Sequence, residues 1–180
     1  MKNLTSISVV ALVAAGALWF TTREEPKTDA AVYESLQQCL ADVNMVRSDC
    51  EKNYAAAKQQ HASVAPKFAT QRECEEEFGA ARCEKAPQTT STGSSMFMPL
   101  MMGYMMGSVI GGRGYGNGQP LYRTRANPGT FRTADNKSAG RTVGRTKVAK
   151  SSTTRPTAKS STRSRGGFGS LGRRFGSAAT

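Results

Sequence analysis

The chain has 180 residues, 38% of them apolar, with a formal net charge of +12, four cysteines and one histidine. That average joins two unlike halves: residues 1–112 hold ten Lys/Arg against twelve Asp/Glu, whereas residues 113–180 hold fifteen against Asp135 alone. No nucleophile, base and orienting group stand in a recognisable catalytic arrangement, so composition and motifs argue for a non-enzymatic protein without a cofactor.

Residues 1–22, "MKNLTSISVVALVAAGALWFTT", carry Lys2 ahead of an apolar run from Leu4 to Phe20, the pattern of an export signal or a membrane anchor. Seventeen helical residues rise about 25 Å against a hydrocarbon core of about 30 Å, enough for a short span. Ala15, Gly16 and Ala17 satisfy the small-residue rule of signal peptidase, but cleavage there exposes Leu18, Trp19 and Phe20 at the new terminus, which favours an uncleaved anchor. An n-region kept in the cytoplasm puts the cysteine-bearing segment outside the cytoplasm. Residues 23–33 read as a linker.

Residues 34–86 contain all four cysteines, Cys39, Cys50, Cys74 and Cys83. An even count behind an export segment reads as a disulfide framework, and the spacings do not match the close pairs of zinc sites. Of three connectivities, Cys39–Cys50 with Cys74–Cys83 is preferred, because both pairs close short loops in similar local frames. Those frames are "SLQQC" from Ser35 and "TQREC" from Thr70, each a capping box that opens a helix with a cysteine in its first turn. Gly79 suits a helix stop, and the alanine-rich run from Cys50 predicts a helix that ends before Pro66. His61 lies in a polar stretch and reads as a surface residue, and Glu73, Glu75, Glu76 and Glu77 as a solvated helix start. A helical domain of about fifty residues has a marginal core, so two disulfides at roughly 2–3 kcal/mol each decide its folding.

After a linker at 87–95, residues 96–112 form an uncharged Met/Gly-rich stretch that predicts an apolar helix. On that helix Met98, Met101, Met102, Met105 and Val109 share one face, while Gly103, Gly107 and Gly111 line the opposite one. Such a glycine row suits packing against a membrane helix or a partner, including a second copy in a homo-oligomer. The alternative is Cu(I) held by thioethers, with Met98, Met101, Met102 and Met105 as the ligand set.

Residues 113–180 are basic and rich in Gly, Ser and Thr, a composition that predicts disorder. Arg163, Arg165, Arg173 and Arg174 lie in an RGG-like segment suited to anionic lipid or an envelope polymer, and export argues against nucleic acid as the partner. The fold class read from these elements is mainly α: a small disulfide-stapled helical domain with an N-terminal membrane or signal segment and a long disordered basic tail.

The blocks "APKFATQRECEEEFGAARCE" (Ala65 to Glu84), "FMPLMMGYMMG" (Phe97 to Gly107), "QPLYRTRANPGTF" (Gln119 to Phe131) and "RGGFG" (Arg165 to Gly169) resemble the YgiB-like family of bacterial envelope proteins. The resemblance runs from about residue 30 to the end and implies a structural or adaptor role without an established activity. Several relatives begin as lipoproteins, whereas no cysteine precedes Cys39 here. The family's frequent neighbours are ATP-grasp ligases, which implies a further alternative, the tail ending at Thr180 as substrate or docking site of such an amide ligase.

Overall fold

A computed structural model describes residues 25–89, 93–108, 114–158 and 162–163. Among the described residues strand outweighs helix, 40% against 28%, which overturns the expectation of a mainly α protein. The chain opens with strand β1 (Lys27–Tyr33), inside the segment read as a linker, followed by α1 (Leu36–Leu40) and α2 (Arg47–Val64). Then come β2 (Lys67–Phe68), α3 (Gln71–Phe78), β3 (Cys83–Thr89), β4 (Ser95–Pro99), β5 (Gly103–Ser108), β6 (Tyr115–Thr124), β7 (Asn127–Thr133) and β8 (Gly144–Ala149). A 3-10 turn (Lys150–Thr153) and β9 (Thr162–Arg163) complete the described chain.

Helices α1 and α3 begin where the caps require, whereas α2 starts after Val46 without a side-chain cap. Ser35 Oγ accepts from Gln38 N at 3.2 Å and Thr70 Oγ1 from Glu73 N at 3.2 Å, each satisfying an otherwise orphaned helix donor. Gly79, at φ 106, ends α3 in a conformation that a side chain rarely adopts. Cys39 is bonded to Cys50 and Cys74 to Cys83, the pairing that closes the two short loops.

Five antiparallel strands in the order β7-β6-β5-β1-β8 form the large sheet, and β3-β4-β2-β9 a smaller one. Strand β1 is the hinge of this topology: Ala30 faces Gly107 of β5 on one side and Thr146 of β8 on the other. Its residues alternate between two cores, as the two-residue period of a strand demands. Ala30 and Val32 join Met105, Leu121, Phe131, Ala139 and Val148 in one, whereas Ala31 and Tyr33 join Cys39, Cys50, Ala57, Tyr104 and Met106 beneath α1 and α2. A third core, with Val64, Phe68, Cys74, Phe78, Met98 and Tyr122, ties α2 and α3 to the small sheet.

The Met/Gly stretch is therefore strand β4, a connection and strand β5 rather than one helix. Both faces of β5 are covered, so its apolar residues run without polar interruption, a pattern that helical spacing imitates. The basic tail is corrected as well, because residues 114–158 are folded. Of their few large apolar side chains, Leu121, Tyr122, Phe131 and Val148 are buried in cores shared with the first half of the chain, and Tyr115 and Val143 pack half-buried against the same cores. Shared cores and ladders with β5 and β1 offset an ordering entropy that this segment could not offset alone.

Helix α2 meets β6 through polar side chains. The Asn53 amide nitrogen donates to the Tyr115 carbonyl at 3.0 Å and to the Asp49 carbonyl at 2.8 Å, while its Oδ1 accepts from Gly118 N at 2.9 Å. The approach is so close that a Cβ on Gly118 would meet backbone atoms of Asn53. Two turns further along, His61 is buried rather than at the surface: Nδ1 lies 2.9 Å from the Tyr122 hydroxyl and Nε2 3.3 Å from Glu84 Oε1. Burial pushes the His61 pKa below its ordinary value, opposed by Glu84 and assisted by the nearby Lys67. Lys67 is buried too, which lowers its own pKa, and its Nζ donates to the Ser63 carbonyl at 3.5 Å.

These contacts set two expectations for stability. Gly118→Ala forces a methyl group into the Asn53 backbone and is expected to cost about 3 kcal/mol or more, roughly 10 °C in melting temperature. Gly129→Ala, where nothing lies within 4 Å, leaves the thermal melt unchanged. The second concerns pH. Because the folded pKa of His61 lies below the ordinary 6.5, the unfolded chain binds more protons between those two values, and stability falls as pH drops through that window. Glu25 and Asp42, with pKa values lowered from 4.5 and 3.8, lose their contribution only at still lower pH. Urea unfolding from about pH 7.5 to about pH 5 is expected to show a slope that His61→Gln removes.

Candidate functional site

The disulfide-closed loop between α1 and α2 is built to project side chains. The buried Tyr33 hydroxyl donates to Asp42 Oδ2 at 2.7 Å, and Asn44 N donates to Asp42 Oδ1 at 2.9 Å. These bonds hold the Asp42 carboxyl below its usual range, the Tyr33 contact contributing most. Burial, and then Asp42 itself, push the Tyr33 hydroxyl far above its ordinary value. With Asp42 held in place and Cys39 tied to Cys50, the loop carries Val43 outward at 95% exposure and Val46 at 61%. Of the two, Val46 stands on the wall of the neighbouring groove.

Beside this loop lies a groove of about 580 Å³. Asn44, Met45 and Val46 line one side, with Asp29 of β1, Ser108 of β5, and Arg145 and Lys147 of β8 also on its lining. Lys147 Nζ is paired with Asp29 Oδ1 at 2.9 Å. Asp49 Oδ2 accepts from Tyr115 N at 3.1 Å, so this carboxylate serves the fold while also lining the groove. Arg145 is exposed and forms no ion pair among the described residues, and its charge adds slightly to the lowering of the Asp42 pKa. The arrangement offers charge, hydrogen bonds and an apolar rim to a bound segment, the chemistry of recognition.

The residues singled out from the sequence scatter. Met98 belongs to the core between the helices and the small sheet, Met105 to the core on one face of the large sheet, and Met101 packs beside the core on its other face. Met102 donates its backbone N–H to the Leu121 carbonyl at 2.8 Å. The four thioethers thus do not share one packing cluster. Gly103 and Gly107 lie in β5 instead of on a helix: a Cβ at Gly103 would meet the Tyr33 carbonyl at 2.7 Å and the Phe131 ring at 3.0 Å, so the glycine admits neighbours within its own fold. Gly111, the N-terminal segment 1–22, Arg165, Arg173, Arg174 and the terminus at Thr180 lie outside the described residues. Arg163 closes β9, which pairs in parallel with β2. Among the described residues no helix is long and apolar enough to cross a membrane, and no three His, Cys, Asp or Glu side chains converge on a metal position.

Sequence reasoning missed Arg145, Lys147 and the valines of the loop. The signal was present in "GRTKVA", a short stretch alternating basic residues with Thr and Val, but it was submerged in a segment whose composition points to disorder.

Comparison with known proteins supplies the kinship. Residues 27–178 match the model of a family described as a protein of unknown function (DUF1190). The chain is 34% identical over 178 residues to a UPF0441 protein of Erwinia tasmaniensis, covering 91% of this chain and 80% of the relative. Similar proteins occur in Serratia proteamaculans, at 34% identity over 178 residues, and in Yersinia pestis, at 33% over 184 residues, with the same coverage. No solved structure matches. The chain therefore belongs to the DUF1190 family, the YgiB-like proteins resembled by its cysteine and methionine blocks.

Proposed function

We propose that the protein is a non-enzymatic adaptor of the bacterial envelope that holds to an anionic surface through its basic C-terminal half. The observation that carries this reading is that folding leaves the positive charge outside. Residues 114–158 contain nine Lys/Arg against Asp135, and Arg125, Arg141, Arg145, Lys147, Lys150 and Arg155 are all exposed. Residues 159–180 add five more, including Arg163, Arg165, Arg173 and Arg174, with no acid. Two disulfides point to an oxidising compartment, the periplasm in this reading. Anionic lipid and anionic envelope polymers share the recognising chemistry, whereas nucleic acid is not expected there. Each basic residue near an anionic membrane contributes about 1 kcal/mol, falling off within a Debye length of about 8 Å at physiological salt.

Full-length protein is expected to sediment with vesicles containing phosphatidylglycerol and to be released by salt, while pure phosphatidylcholine vesicles leave it in solution. Replacing Lys159, Arg163, Arg165, Arg173 and Arg174 with Gln weakens binding at least about tenfold. Competition by a soluble anionic polysaccharide separates the polymer from the lipid as the preferred surface. Equal binding to neutral and anionic vesicles, insensitive to salt, would overturn the reading.

A further inference from the structure

Strand β8 lies at the end of the large sheet, paired with β1 alone. The opposite end is covered differently: along β7, Phe131 N donates to the Gly140 carbonyl, Ala139 N to the Phe131 carbonyl and Thr133 N to the Lys137 carbonyl. Along β8 no such cover exists among the described residues.

The ladder determines which backbone groups are left over. Lys150 N donates to the Pro26 carbonyl at 2.8 Å, and the register pairs Val148 with Thr28, Thr146 with Ala30 and Gly144 with Val32. In an antiparallel ladder alternate residues turn their N–H and C=O toward one neighbour. Val148, Thr146 and Gly144 therefore bond to β1, and Arg145, Lys147 and Ala149 turn theirs to the outer edge. The side chains obey the same alternation. Val148 packs in the core with Ala30, whereas Arg145 and Lys147, opposite Ala31 and Asp29, stand on the other face and line the groove below Met45 and Val46.

We propose that this edge accepts an extended segment of another protein in which acidic residues alternate with β-branched apolar ones. Such a segment adds a sixth strand to the sheet, its main chain bonded to Arg145, Lys147 and Ala149. Residues directly opposite share a face, so its acidic side chains enter the groove beside Arg145, which forms no ion pair among the described residues, and beside Lys147, where they compete with Asp29. Asp49, the groove's other carboxylate, is engaged by Tyr115 N, and the segment's apolar side chains continue the other face beside Val148. Charge selects this occupant over the nearer candidates. A second copy joined edge to edge would oppose basic residues with basic residues, and the chain's own residues 159–180 carry five positive charges and no negative one. The inference goes beyond the anionic-surface reading and does not depend on it, because a short peptide carries no surface.

The test uses full-length protein and a fluorescent capped peptide, Gly-Glu-Val-Glu-Val-Glu-Gly, monitored by anisotropy. The wild-type chain is expected to bind it and to ignore the analogue with Lys in place of Glu. Arg145→Glu weakens binding about tenfold and gains binding to the Lys analogue. Ala149→Pro provides an uncharged check: Ala149 sits at φ −56, which proline adopts, and its N–H faces the edge, so the variant keeps the ladder with β1 and loses a donor to the peptide. Unaltered melting of Ala149→Pro with weakened peptide binding supports strand addition. Equal binding of both peptides, unchanged affinity in Ala149→Pro, or wild-type dimers that this substitution dissociates would overturn it. Vesicle binding that persists in Ala149→Pro separates this outcome from failure of the surface reading.

Discussion

The fold depends on one polar contact, the seat of Asn53 against the start of β6. A buried asparagine amide has two donors and an acceptor to satisfy, and leaving one unmet costs about 1–3 kcal/mol. Here its carbonyl accepts from Gly118 N and its nitrogen reaches the carbonyls of Asp49 and Tyr115. This fixes both the height of α2 above the sheet and its rotation, because a hydrogen bond has a direction that an apolar contact lacks. Asp49, one turn earlier, accepts from Tyr115 N, and His61, two turns later, meets the Tyr122 hydroxyl. The helix is thus fitted to a single strand along its length by side chains four and eight positions apart.

That fit explains why the two halves of the chain, so different in charge, make one body. Strand β1 comes from the acidic half and takes both its neighbours, β5 and β8, from later in the sequence. The charges meet along with the strands: Asp29 pairs with Lys147 at 2.9 Å, and Glu34 with Arg123 at 2.7 Å. Arg123 also lies 4.0 Å over the Phe131 ring, so its guanidinium is stacked as well as paired. Each disulfide closes a loop of about ten residues and stabilises local structure, whereas the β1 ladders must close most of the chain. Such long-range pairing is slow compared with helix formation. The disulfide-bonded helical hairpin can form early and offer Asn53 and Asp49 to β6 when it arrives.

Local rules were legible in the sequence and distant pairing was not. The N-caps at Ser35 and Thr70, the helix stop at Gly79, the alanine-rich helix before Pro66 and the short disulfide loops are settled within a few residues of one another, and there sequence and structure agree. The Met/Gly stretch misleads because β5 is buried on both faces: with Tyr104 and Met106 under the helices and Met105 in the opposite core, no polar alternation distinguishes strand from helix. The second half misleads because its apolar residues are few, and composition cannot show that a distant segment supplies the rest of the core. His61 and Asn53 were hidden for the complementary reason. A helix that buries a polar stripe has no apolar face to detect, and its partners stand more than sixty positions away.

The same economy shapes the surface. A sheet that ends in a free strand risks pairing with itself, and basic residues along the edge counter that risk. In β8 they do so on one face only, since Val148 is committed to the core and Arg145 and Lys147 stand opposite it. Repulsion between copies is then an attraction for a strand of opposite sign, and the discrimination arises from the same two side chains. The disulfide loop adds shape to charge, because Asp42 and the Cys39–Cys50 bond hold Val46 at the groove, where a partner's aliphatic stem has a surface to cover. An edge that was only protected would not need that wall. Val46 stands at the groove beside an edge without a backbone partner among the described residues, which gives the edge a reason to be open.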